Sequence, residues 1–138
     1  MNIEQMTEQL QAIIMSALTK AQESHNPELN PEHILAAMAE DTGLDGIWQR
    51  LKINKEQLIK FLNDCISKLP TQTDAGQPML SRAVSEGYTK ALDYMKKQGD
   101  TYMSTVAMLI GLLSTNASGV QELKKQFGIN VKDVQDAE

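Results

Sequence analysis

Cysteine is almost missing from this chain. Cys65 stands alone, so no internal disulfide and no paired-cysteine redox or metal motif can form. It falls in FLNDCISKL, on an apolar helical stripe, and is expected as an unreactive core thiol. Histidine is scarce too: with only His25 and His33, a zinc site would have to borrow carboxylates. Aromatic residues number one Trp, three Tyr and two Phe, and the scattered Thr and Val cannot build alternating strands. Basic residues are outnumbered, 13 Lys and Arg against 18 Asp and Glu for a net charge of −5. They form no cluster, which argues against nucleic acid as a partner. No apolar run nears the roughly 20 residues that span a bilayer. The opening MNIEQMTEQLQ lacks a basic stretch followed by an apolar one. No membrane partner is expected, and the expected location is the cytoplasm. Neither G-x-x-x-x-G-K-[ST] nor G-x-S-x-G occurs, so the chain carries no P-loop and no nucleophile elbow. It is not expected to be an enzyme.

What is present suits helices. The chain has 138 residues, 41% of them hydrophobic, enough for one domain or two small lobes sharing a core. Ala, Leu, Ile and Met are plentiful, and all but Ile are strong helix formers. Ile3, Met6, Leu10, Ile13, Ile14, Ala17 and Ala21 mark one face of a long helix that ends before Pro27. A short helix is expected from Pro31 to about Glu40, and another around Ile47, Trp48 and Leu51. Asn54 with Gln57 resembles a capping box opening a helix with Leu58, Phe61, Leu62, Cys65, Ile66 and Leu69 inward. PTQTDAGQP, residues 70–78, is a linker. After it come a long helix with Leu80, Val84, Tyr88, Ala91, Leu92 and Met95 ending near Gly99, a short one in STVAMLIGLLS, a third from Gly119 to Phe127, and a last from INVKDVQDAE. Most of the eight methionines are expected to fill the core.

Long, short, short, medium is thus followed by the same order again, which reads as an internal duplication. TKA at 19–21 returns at 89–91, and the Asn30-initiated helix matches one beginning at Ser104. IN at 53–54 returns at 129–130. The expected architecture is all-α: two tandem four-helix units, about eight helices, packed about a pseudo-twofold axis as one globular domain.

LNPEHILAAMAED poses the sharpest chemical question. Glu32 and His33 could belong to a metal or acid/base site, yet each residue also has a structural task. Asn30 is a good N-cap, Pro31 suits the first helical position, and Glu32 in the first turn complements the helix dipole. A metalloprotease helix would place a second histidine four residues after the first, where Ala37 stands. His33 is therefore expected as a packed residue with a satisfied ring nitrogen. Glu32, at an exposed helix start, either compensates the dipole or accepts hydrogen bonds from a guest guanidinium or amide.

MTEQLQ, NPEHILAAM, KLP, LSRAV and QGDTYMS together resemble the N-terminal domain of the Clp ATPase unfoldases, most of all the ClpB-type disaggregases, over nearly the whole chain. The resemblance implies a Clp repeat at about 1–69, a linker at 70–78 and a second repeat at about 79–138. AAA+ modules are expected downstream of an excised or truncated module. It also implies docking of unfolded or aggregated polypeptide, or of adaptor proteins in protease-linked members. Cofactors would be none here, with ATP and Mg in the parent protein. The fragment is expected to be a monomer and the parent a hexamer. Family positions for substrate contact correspond to Thr7 and Asp100, and Glu32 matches a carboxylate that related members use for arginine-type ligands. Val106 stands where the second repeat often has an acid, which would make a groove there more apolar and any guanidinium recognition one-sided or absent. The stretch from Ala21 to Asn30 reads as one helical turn short. Three rivals remain: an adaptor-docking domain of a Clp protease subunit, a metal site on Glu32 and His33, and a structural spacer.

Overall fold

Side-chain caps decide where most of the helices begin. The computed structural model describes residues 1–138 and contains eight of them: α1 Glu8–Glu23, α2 Pro31–Glu40, α3 Asp45–Arg50, α4 Lys55–Ser67, α5 Arg82–Gln98, α6 Thr105–Leu113, α7 Ser118–Phe127 and α8 Val131–Ala137. Thr7 Oγ1 accepts the Leu10 N–H at 3.2 Å to open α1, and Ser81 Oγ accepts that of Val84 at 3.1 Å to open α5. Ser104 does the same for Ala107 at α6, and Asn54 and Asn130 for Gln57 and Asp133 at α4 and α8. Such an oxygen satisfies an amide that the first turn would otherwise leave open.

The caps also fix the register of the duplication. Thr7 and Ser81 stand 74 positions apart, as do Asn30 and Ser104, while Asn54 and Asn130 stand 76 apart. The repeated TKA, 70 positions apart, is out of register, because Thr19 corresponds to Asp93. Both long-helix caps lead to the next cap over equal distances, so the stretch from Ala21 to Asn30 has the same length as its counterpart in the second repeat.

Two places depart from the helical reading. Ile3 lies in a 3-10 turn, Ile3–Gln5, and Met6 is extended, because the Thr7 cap requires extended backbone before α1. Leu80 likewise precedes the Ser81 cap rather than joining α5. Both positions belong to short parallel pairings. Met6 bridges Met103, and β1 (Glu28–Leu29) pairs with β2 (Met79–Leu80). The lead-in to α1 thus meets the lead-in to α6, and the lead-in to α5 meets that to α2. Exchanging the halves exchanges the two seams, which is the pseudo-twofold relation.

The short helices α2 and α6 occupy the centre. Pro31 through Ala39 are all buried, as is every residue of α6 but Val106, and α6, apolar all round but for Thr105, demands such a place. Helix α5 crosses α6 closely enough that a Cβ on Gly111 would lie 2.2 Å from the Gly87 carbonyl oxygen and 2.9 Å from the Ala91 Cβ. One apolar cluster runs through both halves, from Met6 to Ala137. Met6, Met38, Met95, Met103 and Met108 fill it, whereas Met15 and Met79 are exposed. Cys65 is only half-buried, since its side of α4 faces α7 across a groove, and Phe61, Leu69, Tyr88 and Leu92 are also only partly covered.

Candidate functional site

The Met6–Met103 seam holds Thr7 directly, and two more of the four residues singled out by the sequence, Asp100 and Val106, flank Met103 along the chain. The Thr7 N–H donates to the Met103 carbonyl at 3.0 Å, and the Met103 N–H donates to the Gln5 carbonyl at 2.7 Å. Asp100 lies three residues before Met103 and Val106 three after it. Thr7 has its side chain committed to the helix cap, Asp100 is exposed, and Val106 is half-buried against the core. The seam is braced from one side by Gln9, which accepts from Thr105 Oγ1 at 3.1 Å and donates to Asp41 at 3.0 Å. Tyr102, 56% exposed, is a seam residue that the sequence reading did not single out. An aromatic side chain within the polar loop QGDTYMS was the available signal.

Glu32 is elsewhere and is not exposed, contrary to expectation. It is 4% exposed, because the start of α7 lies over the start of α2. A Cβ on Gly119 would fall 2.7 Å from Glu32 Oε2, so only glycine lets α7 approach so closely. Glu32 Oε1 is buried without a hydrogen-bond partner. Burial raises its carboxyl above the usual range, against a smaller opposing contribution from a backbone hydrogen bond. A guest guanidinium could reach it only if α7 moved away.

His33 is packed and doubly bonded, as expected. Nδ1 accepts the Asn30 N–H at 2.9 Å, which leaves the proton on Nε2, 2.8 Å from Asn26 Oδ1. Asn26 Nδ2 then donates to the Pro70 carbonyl at 2.9 Å. Burial lowers the imidazole to about 4. With both nitrogens engaged the ring is no metal ligand, and no group of three His, Cys, Asp or Glu side chains comes together to hold an ion. Burial is also the leading reason that the Cys65 thiol is pushed up, with the Glu32 carboxylate next. It is the weaker nucleophile for that.

The larger concavities avoid the predicted residues. A groove of about 690 Å³ runs between α4 and α7 over Phe61, Cys65 and Phe127, whose aromatic pair meets edge to face at 5.5 Å. Another, of about 700 Å³, lies between α5 and α8 beside Tyr94 and Glu138. Both mix lysines with acids and have few apolar residues in their walls.

Fold and site together define a mostly helical double repeat whose halves meet at two exchanged seams. The model of the Clp repeat (R) N-terminal domain matches residues 5–127, and the chain belongs to that family. The chaperone protein ClpB of Bacteroides thetaiotaomicron is 28% identical over 99% of this chain. The chain spans 16% of that relative's length. The Hsp104 N-terminal domain from Candida albicans superposes with a TM-score of 0.84 at 23% identity, covering 96% of this chain and 87% of that one. A ClpV N-domain solved in complex with a VipB peptide gives 0.78 at 16% identity, covering 96% and 83%. No helix is long and apolar enough to cross a membrane.

Proposed function

We propose that this chain is the docking domain of an ATP-dependent disaggregase, holding unfolded or aggregated polypeptide weakly at the Met6–Met103 seam and passing it to an ATPase ring. The observation that supports this reading is the bond from Thr7 to Met103, which stands three positions from both Asp100 and Val106 and next to the exposed Tyr102. In the same proposal the repeats are 1–69 and 79–138, residues 70–78 link them, and AAA+ modules follow in a cytoplasmic hexamer that binds the ATP and Mg. Val106 contributes apolar surface where an acid would have favoured cations. Affinity should lie between about micromolar and millimolar, roughly −8 to −4 kcal/mol, because ordering a flexible guest offsets much of the contact energy.

The test is a titration of isotope-labelled protein with an unfolded polypeptide, read as amide shifts. Shifts should cluster at residues 5–10 and 98–106 and weaken in Asp100→Ala. Thr7→Ser, which keeps the cap, should retain the fold while changing the contact. Adaptor docking is the second reading, favoured by the peptide seated on the ClpV N-domain. It wins if one folded adaptor binds tightly while unfolded chains leave the seam unperturbed.

A further inference from the structure

The duplication creates two equivalent corners, and the chain itself occupies one of them. In each, a long helix ends in a left-handed residue, His25 (φ 56°) or Gly99 (φ 73°). The next amide turns back to the helix: Asn26 N–H to the Ala21 carbonyl at 2.9 Å, Asp100 N–H to that of Met95 at 3.1 Å. Each corner lies three residues before its seam, at Leu29 or Met103. All these pairs keep the 74-residue interval set by the caps.

At the first corner the linker is fastened down. The Gln72 N–H donates to the His25 carbonyl at 2.8 Å, and Asn26 Nδ2 grips the Pro70 carbonyl. Asn26 can do this only because its oxygen is taken by His33 Nε2–H, which orients the amide. His33 is in turn oriented by the Asn30 N–H on its other nitrogen. Every donor in this relay points one way, from Asn30 to His33, on to Asn26 and out to Pro70. At the second corner the relay is missing. Asp100 replaces Asn26 and Ala107 replaces His33, Asp100 is exposed, and the Gly99 carbonyl receives no hydrogen bond.

The geometry points to the His33–Asn26 relay as the device that decides which corner docks polypeptide. It closes the first corner with the chain's own linker and leaves Gly99–Asp100 to take an extended segment in the linker's manner. The guest sets a backbone N–H on the Gly99 carbonyl, as Gln72 does on His25. Asp100 only accepts hydrogen bonds, so the guest must offer it a donor, whether a backbone amide or a polar or cationic side chain, where the linker offers a carbonyl. This rests on the docking reading above and adds its register and its one-sidedness. His33 and Asn26 are positioning residues that touch no guest.

The test uses the 138-residue protein, Asn26→Asp, and β-casein as an unfolded probe. Aspartate at 26 still accepts from His33 but cannot donate to Pro70, so the linker should be released with the fold intact. Amide exchange at Gln72 should then quicken at least tenfold, while His33 keeps the nitrogen-15 signature of its Nε2–H tautomer. Casein should shift amides at 98–102 in the wild type, and at both 24–27 and 98–102 in Asn26→Asp. Unchanged Gln72 exchange, or equal perturbation of both corners in the wild type, overturns the inference. Binding elsewhere on the seam overturns it while sparing the proposed function, and binding nowhere overturns both.

Discussion

Glu32 keeps a carboxyl in a place where the fold gives Oε1 no partner, and the consequence is a pH dependence with a definite sign. A carboxyl raised by burial holds its proton in the folded state above the pH at which the unfolded chain releases it. Its contribution to stability is therefore present below the unfolded value and lost as pH rises through the folded one. His33 acts in the other direction. Its imidazole falls from 6.5 to about 4 on folding, so stability is complete above 6.5 and drains away as pH drops toward 4, by about 3 kcal/mol at 1.36 kcal/mol per unit. Glu32→Gln removes only the first effect. The variant should be more stable than the wild type at pH 7, where the buried carboxylate would have to carry its charge, and little changed at pH 4. Urea titrations at the two pH values measure the difference, and an equal gain at both would show that burial of charge is not the cause. Nothing in the local sequence announced this. The cap, the proline and the dipole around Glu32 were all readable, but its cover is Gly119, far along the chain.

Among the elements, starts were legible and lead-ins were not. Ser, Thr and Asn caps are short-range chemistry, so the beginnings of α1, α4, α5, α6 and α8 could be read or nearly so. Met6 and Leu80 fitted a helical period but were claimed by pairings with residues 97 and 51 positions away, which periodicity cannot see. Helix ends offer a sharper comparison. Gly128 ends α7 at φ 66°, and its counterpart 76 positions earlier, Lys52, adopts φ 59° after α3. Left-handed backbone costs a residue with a Cβ roughly 1–2 kcal/mol, partly offset by the entropy glycine loses on folding. Lys52→Gly should thus stabilise by about 0.5–1 kcal/mol and Gly128→Ala should destabilise by a similar amount, both measurable as shifts in melting temperature. Gly111 is constrained for another reason, the crossing of α5 over α6. A methyl group there meets main-chain atoms that cannot turn aside. Gly111→Ala should cost at least about 3 kcal/mol, the upper end for an overpacked core, and a loss below 1 kcal/mol would mean that the two helices separate easily.

At the scale of the molecule, the question is whether two repeats make one folding unit or two. Pattern alone gave the eight helices and their duplicated order, yet it could not say how the halves exchange their lead-ins, since that is a property of packing. The exchange argues for one unit. Each long helix is preceded by a segment paired with the other half, and the apolar cluster draws on every helix from α1 to α8. Half a chain, near 70 residues, would rarely supply more than about 3–5 kcal/mol from its own core, and here it would also expose the faces of α2 or α6. Trp48 makes this measurable, because it is the only tryptophan and lies buried in the first half. Its fluorescence reports the surroundings of α3, against which α8 of the second half also packs, whereas far-ultraviolet circular dichroism reports all the helices of both. The two urea transitions should share one midpoint and one slope. A fluorescence midpoint displaced from that of the helices would mean that the repeats unfold separately. The corners at His25 and Gly99 would then belong to independent lobes rather than to one rigid frame.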